Sequence, residues 1–232
     1  LLNVEIRGLK MKNNEPSDFS FDLFWSFRSP FCYLGLDRIL EIKKKFDVIV
    51  NVRPVFPLAI RIPDFFKKVN PKYRGYHLKD SQRVADRLGI PYRRPIPDPI
   101  IQDMETNAIA TEQPYIRHIT LLGAACQIEG SCLPFVDHVS RKLWDGSVDG
   151  WHENDHLMDA LNSAGLNGQE LMAKVESESD KLEAVIAENH AAQEDTDHWG
   201  VPLMTFRGET FYGQDRIETL LWRMLDEGLV AR

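Results

Sequence analysis

Four consecutive residues, Ser29-Pro30-Phe31-Cys32, place a hydroxyl and a thiol at the start of a predicted helix. A helix N-terminus leaves backbone N–H groups unpaired and carries the positive end of the helix dipole, so an anion is stabilised there. A sulfur at such a place loses its proton more readily. Serine cannot exchange disulfides. Its hydroxyl can donate a hydrogen bond to a thiolate brought by another molecule. The plainer reading of Ser29-Pro30 is a favourable N-cap followed by a favourable first helical residue. For Cys32 the plainer reading is a semi-buried structural thiol.

Two later segments also carry chemistry. A cis bond between Val201 and Pro202 exposes the Val201 backbone N–H and C=O to a peptide-like ligand; the alternative is a trans proline that starts a strand. In Gly213-Gln214-Asp215-Arg216, free N–H groups suit a carboxylate and the Asp215 side chain suits an ammonium group. There the alternative is that Asp215 caps the following helix.

His152-Glu153-Asn154-Asp155-His156 spells the zinc-protease pattern H-E-x-x-H, with Glu176 as a conceivable third ligand. That chemistry needs both imidazoles on one face of a formed helix. Asn154 and Asp155 are N-cap types, so the helix is expected to begin inside the motif and point the histidines apart. His118, His138, His190 and His198 read as surface or satisfied core groups. No metal site is expected. There is no Gly-rich phosphate loop, no G-x-S-x-G elbow and no C-x-x-C pair.

These residues must be positioned by elements the sequence also shows. Phe19, Phe21, Leu23, Trp25 and Phe27 alternate with polar residues, a strand pattern with Phe24 as its exception. Leu36, Ile39, Leu40 and Phe46 recur at helical spacing after Ser29-Pro30, and Lys43 to Lys45 suit the negative end of the dipole. Val48 to Val52, stopped by Pro54, completes a βαβ unit with parallel pairing. From about 60 to 195 the texture is helical, with candidates at 76–88, 104–128, 132–144, 154–163 and 168–194. Strand texture returns in Val201–Phe206 and Thr210–Tyr212 around the Arg207-Gly208 turn. A last helix follows from Gly213, carrying Ile217, Leu220, Leu221, Met224 and Leu225.

The chain has 232 residues, 43% hydrophobic and 27% charged, with a formal charge of −7. This is ordinary globular composition, large enough for a sizeable core. The negative balance argues against a nucleic-acid partner, and Lys43-Lys44-Lys45 and Arg93-Arg94 read as solvated surface. No apolar stretch approaches the ~20 residues that span a bilayer, so no membrane partner is expected. Residues 1–17 read as an arm without the apolar region of a signal peptide. Three unpaired cysteines, Cys32, Cys126 and Cys132, fit a reducing compartment, and the expected location is the cytoplasm.

Taken together, Ser-Pro-Phe-x-Tyr-Leu after a strand, a long helical insertion, Gly200-Val201-Pro202 and Gly213-x-Asp215-Arg216 resemble the 2-hydroxychromene-2-carboxylate isomerases. These are kin of kappa-class glutathione transferases in the DsbA-like branch of the thioredoxin superfamily. Asp80-Ser81-Gln82-Arg83 and Gly89-Ile90-Pro91 fit the same pattern, and the resemblance runs from about Phe19 to Leu225. It implies an α/β fold in which a thioredoxin-like domain (18–60 and 196–232) receives a large all-helical insertion (61–195). It implies glutathione as cofactor, with its sulfur at Ser29, its peptide at Val201 and cis Pro202, and its γ-glutamyl end at Gly213 to Arg216. The implied activity is isomerisation of an unsaturated aromatic keto acid. Kappa-like glutathione transfer, redox chemistry through Cys32 and a non-catalytic binding module are the alternatives. A small-molecule aromatic substrate and a homodimer are implied with it. Where the family has a substrate-contacting lysine after the second strand, this chain has Arg61 and then Lys67; Arg61 and Cys32 are the expected substrate contacts. Where the family has a tyrosine after Gly-x-Pro, this chain has Pro95 to Pro99 with Asp98.

Overall fold

A computed structural model of the chain describes residues 19–62, 64–103, 105–106 and 108–232, with the side chains of Phe66 and Lys67 excepted. The expected N-terminal arm and the Lys67 side chain lie outside the described residues.

Among the described residues the order is β1 (Ser20–Trp25), α1 (Pro30–Lys45) and β2 (Ile49–Pro54), then eight helices, then β3 (Leu203–Phe206), β4 (Glu209–Tyr212), a single 3₁₀ turn (Gln214–Arg216) and a last helix. The eight are α2 (Leu58–Arg61), α3 (Phe65–Lys68), α4 (Lys72–Leu88), α5 (Pro114–Ile128), α6 (Cys132–Trp144), α7 (His156–Ser163), α8 (Gly168–Ser177) and α9 (Ser179–Glu194); the last is α10 (Ile217–Asp226). The sheet order is β2-β1-β3-β4. β1 pairs parallel with β2 and antiparallel with β3, and β3 and β4 form the hairpin. One sheet is thus built from both ends of the chain, which is the thioredoxin-like arrangement.

The period-two pattern of β1 buries Phe21, Leu23 and Trp25 on one face. Phe24 points the other way and is covered too, packing with Val55 and Leu203 against Ala192 of α9. One contiguous apolar cluster runs from Leu23, Leu36 and Ile39 into Leu121 of α5 and Phe135 of α6. Each such side chain, fully buried, contributes roughly 1.5–3 kcal/mol.

Four helix boundaries differ from expectation. The helix expected from 76 starts already at Lys72. The helix expected from 104 starts at Pro114. Asp103 accepts from the backbone N–H groups of Glu105 (2.9 Å) and Thr106 (2.7 Å), a local turn that competes with helix. The helix expected over 168–194 is broken at Glu178, where φ is −119° and ψ 24°. Just before it the Ser177 hydroxyl bonds back to Ala173 O at 2.8 Å. The helix expected from 154 begins at His156. His152 lies in the preceding turn with its ring 4.3 Å from that of Tyr115, so the H-E-x-x-H histidines share no helix face.

Candidate active site

β1 delivers the chain into a tight turn at Ser26 to Arg28, closed by the Ser29 N–H to Ser26 O bond at 3.0 Å. Trp144 of α6 fastens this turn by donating its indole N–H to Phe27 O at 3.0 Å. Ser29 then caps α1: its Oγ accepts the Cys32 N–H at 3.2 Å. The same hydroxyl donates to Val201 O at 3.4 Å. Capping and presentation to the opposite segment are therefore one arrangement, not alternatives.

The opposite segment is held from several sides. Val201-Pro202 is cis. The amide of buried Gln193 donates to Gly200 O at 2.8 Å and to Trp199 O at 3.2 Å. His198 Nδ1 accepts the Gly200 N–H at 2.9 Å, and its ring stacks on Tyr212 with centroids 3.6 Å apart. A Cβ on Gly200 would stand 2.3 Å from the Tyr212 ring, so only glycine fits beneath it. Gln193 and His198 were not singled out from sequence as site residues; only tertiary contact reveals them.

Between α1 and this segment opens a cleft of ≈ 930 Å³, its open mouth included. Ser29 and Val201 line its floor, and Phe31, Tyr73, Trp199 and Tyr212 give it aromatic walls. Its remaining wall is cationic: Arg28, Arg61, Arg74 and Arg94 line it, and none of the described lining residues is an acid. Arg28 donates to Asp98 through Nε (2.7 Å) and Nη2 (3.2 Å), and Arg94 donates to the same carboxylate at 2.7 Å. Burial raises the Asp98 carboxyl, but Arg28 and the hydrogen bonds around it bring it below its ordinary range. His77, also on the wall, is held down by burial and by the charges of Arg94 and Arg28.

Other expected residues fall in different places. Arg61 lines the cleft, but its Nε donates to Phe56 O (2.8 Å) and its Nη2 to Trp199 O (2.9 Å), so it fastens two backbone segments. Cys32, expected as a substrate contact, is instead turned into the core with 1% exposure. Burial pushes its thiol up to about 12, against the opposing hydrogen bonds from Ser26 and Ser29. Burial raises Cys126 to about 12 and holds Cys132 well above its ordinary value.

Gly213 bonds through its N–H to Pro202 O at 2.9 Å, joining the 213–216 turn to the cis-proline segment. Its φ of 99° and the Asp215 Oδ1, 2.6 Å from where a Cβ would stand, require glycine. Gln214 corrects another expectation. Its side chain is buried and hydrogen-bonded to Arg38 of α1, away from the cleft. Asp215 does not cap; it pairs with Arg216 at 3.0 Å on the surface.

A family model described as a DSBA-like thioredoxin domain matches residues 21–224. The chain belongs to this DsbA-like thioredoxin family. No curated protein matches it. In fold, this DsbA-like protein is similar to a 2-hydroxychromene-2-carboxylate isomerase, with 20% identity, a TM-score of 0.67 and coverage of 90% of this chain and 95% of that one. It is also similar to a probable DsbA oxidoreductase from Streptomyces coelicolor (18% identity, TM-score 0.60, 90% of both chains). A third likeness is the cytosolic disulfide reductase DsbM from Pseudomonas aeruginosa, in a structure with GSH (12% identity, TM-score 0.57, 90% of this chain and 100% of that one). Among the described residues of this DsbA-like protein, no helix is long and apolar enough to cross a membrane.

Proposed function

We propose that this DsbA-like protein is a glutathione-dependent isomerase of unsaturated aromatic keto acids. One observation carries the reading: the Ser29 hydroxyl stands at the tip of α1 in an open cleft beside Val201, while all three of the chain's own thiols are buried. A site of this descent without an accessible thiol is suited to a sulfur that arrives with a ligand.

The residues present fit glutathione in three places. The cleft has apolar and aromatic walls with a few polar groups, as small-molecule sites do. The Ser29 hydroxyl and the α1 N-terminus suit a thiolate. Asp215 and Arg216, exposed and outside the residues that line the cleft, offer a carboxylate and a guanidinium to the ammonium and carboxylate groups of the γ-glutamyl end. The Gln214 side chain is not part of the fit. When bound, glutathione supplies a thiolate that adds reversibly to an activated C=C bond and so frees it to rotate.

The chain's own residues do the rest. Ser29 exchanges the Val201 carbonyl for sulfur as the acceptor of its proton, which stabilises the thiolate by about 1–3 kcal/mol. Val201 pairs its backbone with the tripeptide. Phe31, Tyr73 and Trp199 take the flat ring of the substrate and exclude water from it. Such an enzyme works in the cytoplasm, where glutathione is kept reduced, and as a homodimer.

Product analysis tests this. An unsaturated aromatic keto acid incubated with enzyme and reduced glutathione is expected to yield an isomer, with glutathione returned in full. A stable conjugate would make the protein a kappa-like transferase. Binding without turnover would make it a binding module.

A further inference from the structure

Tyr73 and His77 stand one turn apart on α4, and both line the cleft. Phe31 of α1 meets the His77 ring edge-on with centroids 5.0 Å apart, and the Tyr73 ring is tilted against it at 5.8 Å. Among the described residues neither imidazole nitrogen of His77 makes a hydrogen bond; its contacts are these two rings. The arginines around it are committed elsewhere. Arg28 and Arg94 both donate to Asp98, and Arg61 is bound to two carbonyls. The charges that face His77 are Arg28 from the turn before α1, Arg94 from the loop after α4 and Asp80 on its own helix. Asp98 bridges the two arginines, and Arg74 lines the same wall.

We propose that His77 is the acid-receiving group of the cleft: it takes the carboxylate of a flat aromatic acid at a ring nitrogen and takes up one proton from solvent as it does so. This rests on the aromatic-acid part of the reading above and does not involve glutathione. In the free protein, burial and then the positive charges of Arg94 and Arg28 favour the neutral imidazole, with Asp80 opposing them. A carboxylate set beside the ring reverses that balance, because an adjacent anion favours the imidazolium and gains a charge-assisted hydrogen bond from it. The proton stays on the imidazole, and no bond of the ligand breaks. Phe31 and Tyr73, which flank the imidazole, are placed to hold the ligand's ring. The sign follows from linkage. His77 ionises below 6.5 in the free protein and higher in the complex, so binding tightens as pH falls toward the free value and levels off beneath it.

The test is calorimetric and needs no turnover. Benzoylformate, an aromatic 2-oxo acid ionised across the whole neutral range, is titrated into the protein in buffers of different ionisation enthalpy. The dependence of the observed heat on the buffer counts the protons taken up. The wild-type protein is expected to take up about half a proton or more near neutrality, and to bind about tenfold more tightly at about pH 6 than at about pH 8. His77→Gln keeps a hydrogen-bonding side chain that does not titrate. It is expected to bind without proton uptake and with one affinity across that range. His190→Gln, which removes a histidine outside the cleft lining, is expected to leave the uptake intact. Melting curves establish that each variant is folded. Affinity indifferent to pH in the wild type, uptake that survives His77→Gln, or no binding of benzoylformate overturns the proposal. Product analysis keeps the two readings apart. Proton-linked binding without isomer formation sinks the isomerase reading and leaves the acid subsite; isomer formation with pH-indifferent affinity sinks the subsite alone.

Discussion

The hydroxyl of Ser29 lies 3.4 Å from the carbonyl oxygen of Val201, across 172 residues of sequence. That contact joins the N-cap of α1 to the cis-proline segment, and it sets the floor of the cleft. Ser29 therefore has two jobs, which separate by substitution. Ser29→Ala is expected to cost about 1 kcal/mol of stability through the lost cap. It is expected to lower turnover by about tenfold or more, because the thiolate loses its side-chain donor. Denaturant melts and steady-state kinetics on the same preparation check both. Ser29→Thr keeps the hydroxyl and is expected to recover the cap.

Burial of the cysteines has a chemical signature. With Cys32 at about 12 and the other two also raised, none is a thiolate near neutrality. All three are expected to resist a thiol reagent in the native protein and to react together on unfolding. Cys32→Ala is expected to retain the catalytic rate while losing roughly 1–2 kcal/mol of stability from its packing. Rapid labelling of one native thiol would restore the redox reading.

His190 gives a pH dependence. Its Nε2 accepts the Phe56 N–H at 3.0 Å, which requires the neutral ring. Burial first, and the Arg61 charge second, lower its pKa from 6.5 to about 4. A histidine depressed in the folded state contributes stability above its unfolded pKa and loses it as pH falls through the folded value. The melting temperature is therefore expected to fall between about pH 6.5 and 4. His190→Gln is expected to flatten that part of the profile.

Gln193 holds the cis-proline segment from beneath, with 1% exposure and bonds to two carbonyls. Gln193→Ala strands both and is expected to cost about 1–3 kcal/mol. Because Trp199 and Gly200 line the cleft, it is also expected to weaken ligand binding. Parallel melts and calorimetry read the two effects.

What was legible in the sequence follows from locality. The period-two run of β1, the Ser29-Pro30 start of α1 and the hairpin at Gly208 are local patterns, and each element formed close to its expected bounds. The breaks at Asp103 and Glu178 depend on side chains that bond their own backbone, which apolar spacing does not register. Site residues divide the same way. Ser29 sits at an N-cap, Val201 before a cis proline and Gly213 at a positive φ, positions that motif and turn chemistry encode. For Gln214 and Arg61, distant partners set where the side chains bond: Arg38 for the first, Trp199 O for the second. Arg28, Arg74 and Arg94 meet only in the fold, and Arg28 and Asp98 are 70 residues apart. Singly they look like surface charge, which is how Arg93-Arg94 reads in a one-dimensional string.

The central claim is that α1 and Ser29 receive a sulfur that is not the chain's own. Ultraviolet titration of the thiol of bound glutathione measures it most directly. The expected result is saturable binding with the thiol ionising at least about one unit below the ordinary ~8.5 of a cysteine thiol, and a return toward that value in Ser29→Ala. Absence of binding, or a bound thiol that ionises at its free value in both proteins, contradicts it.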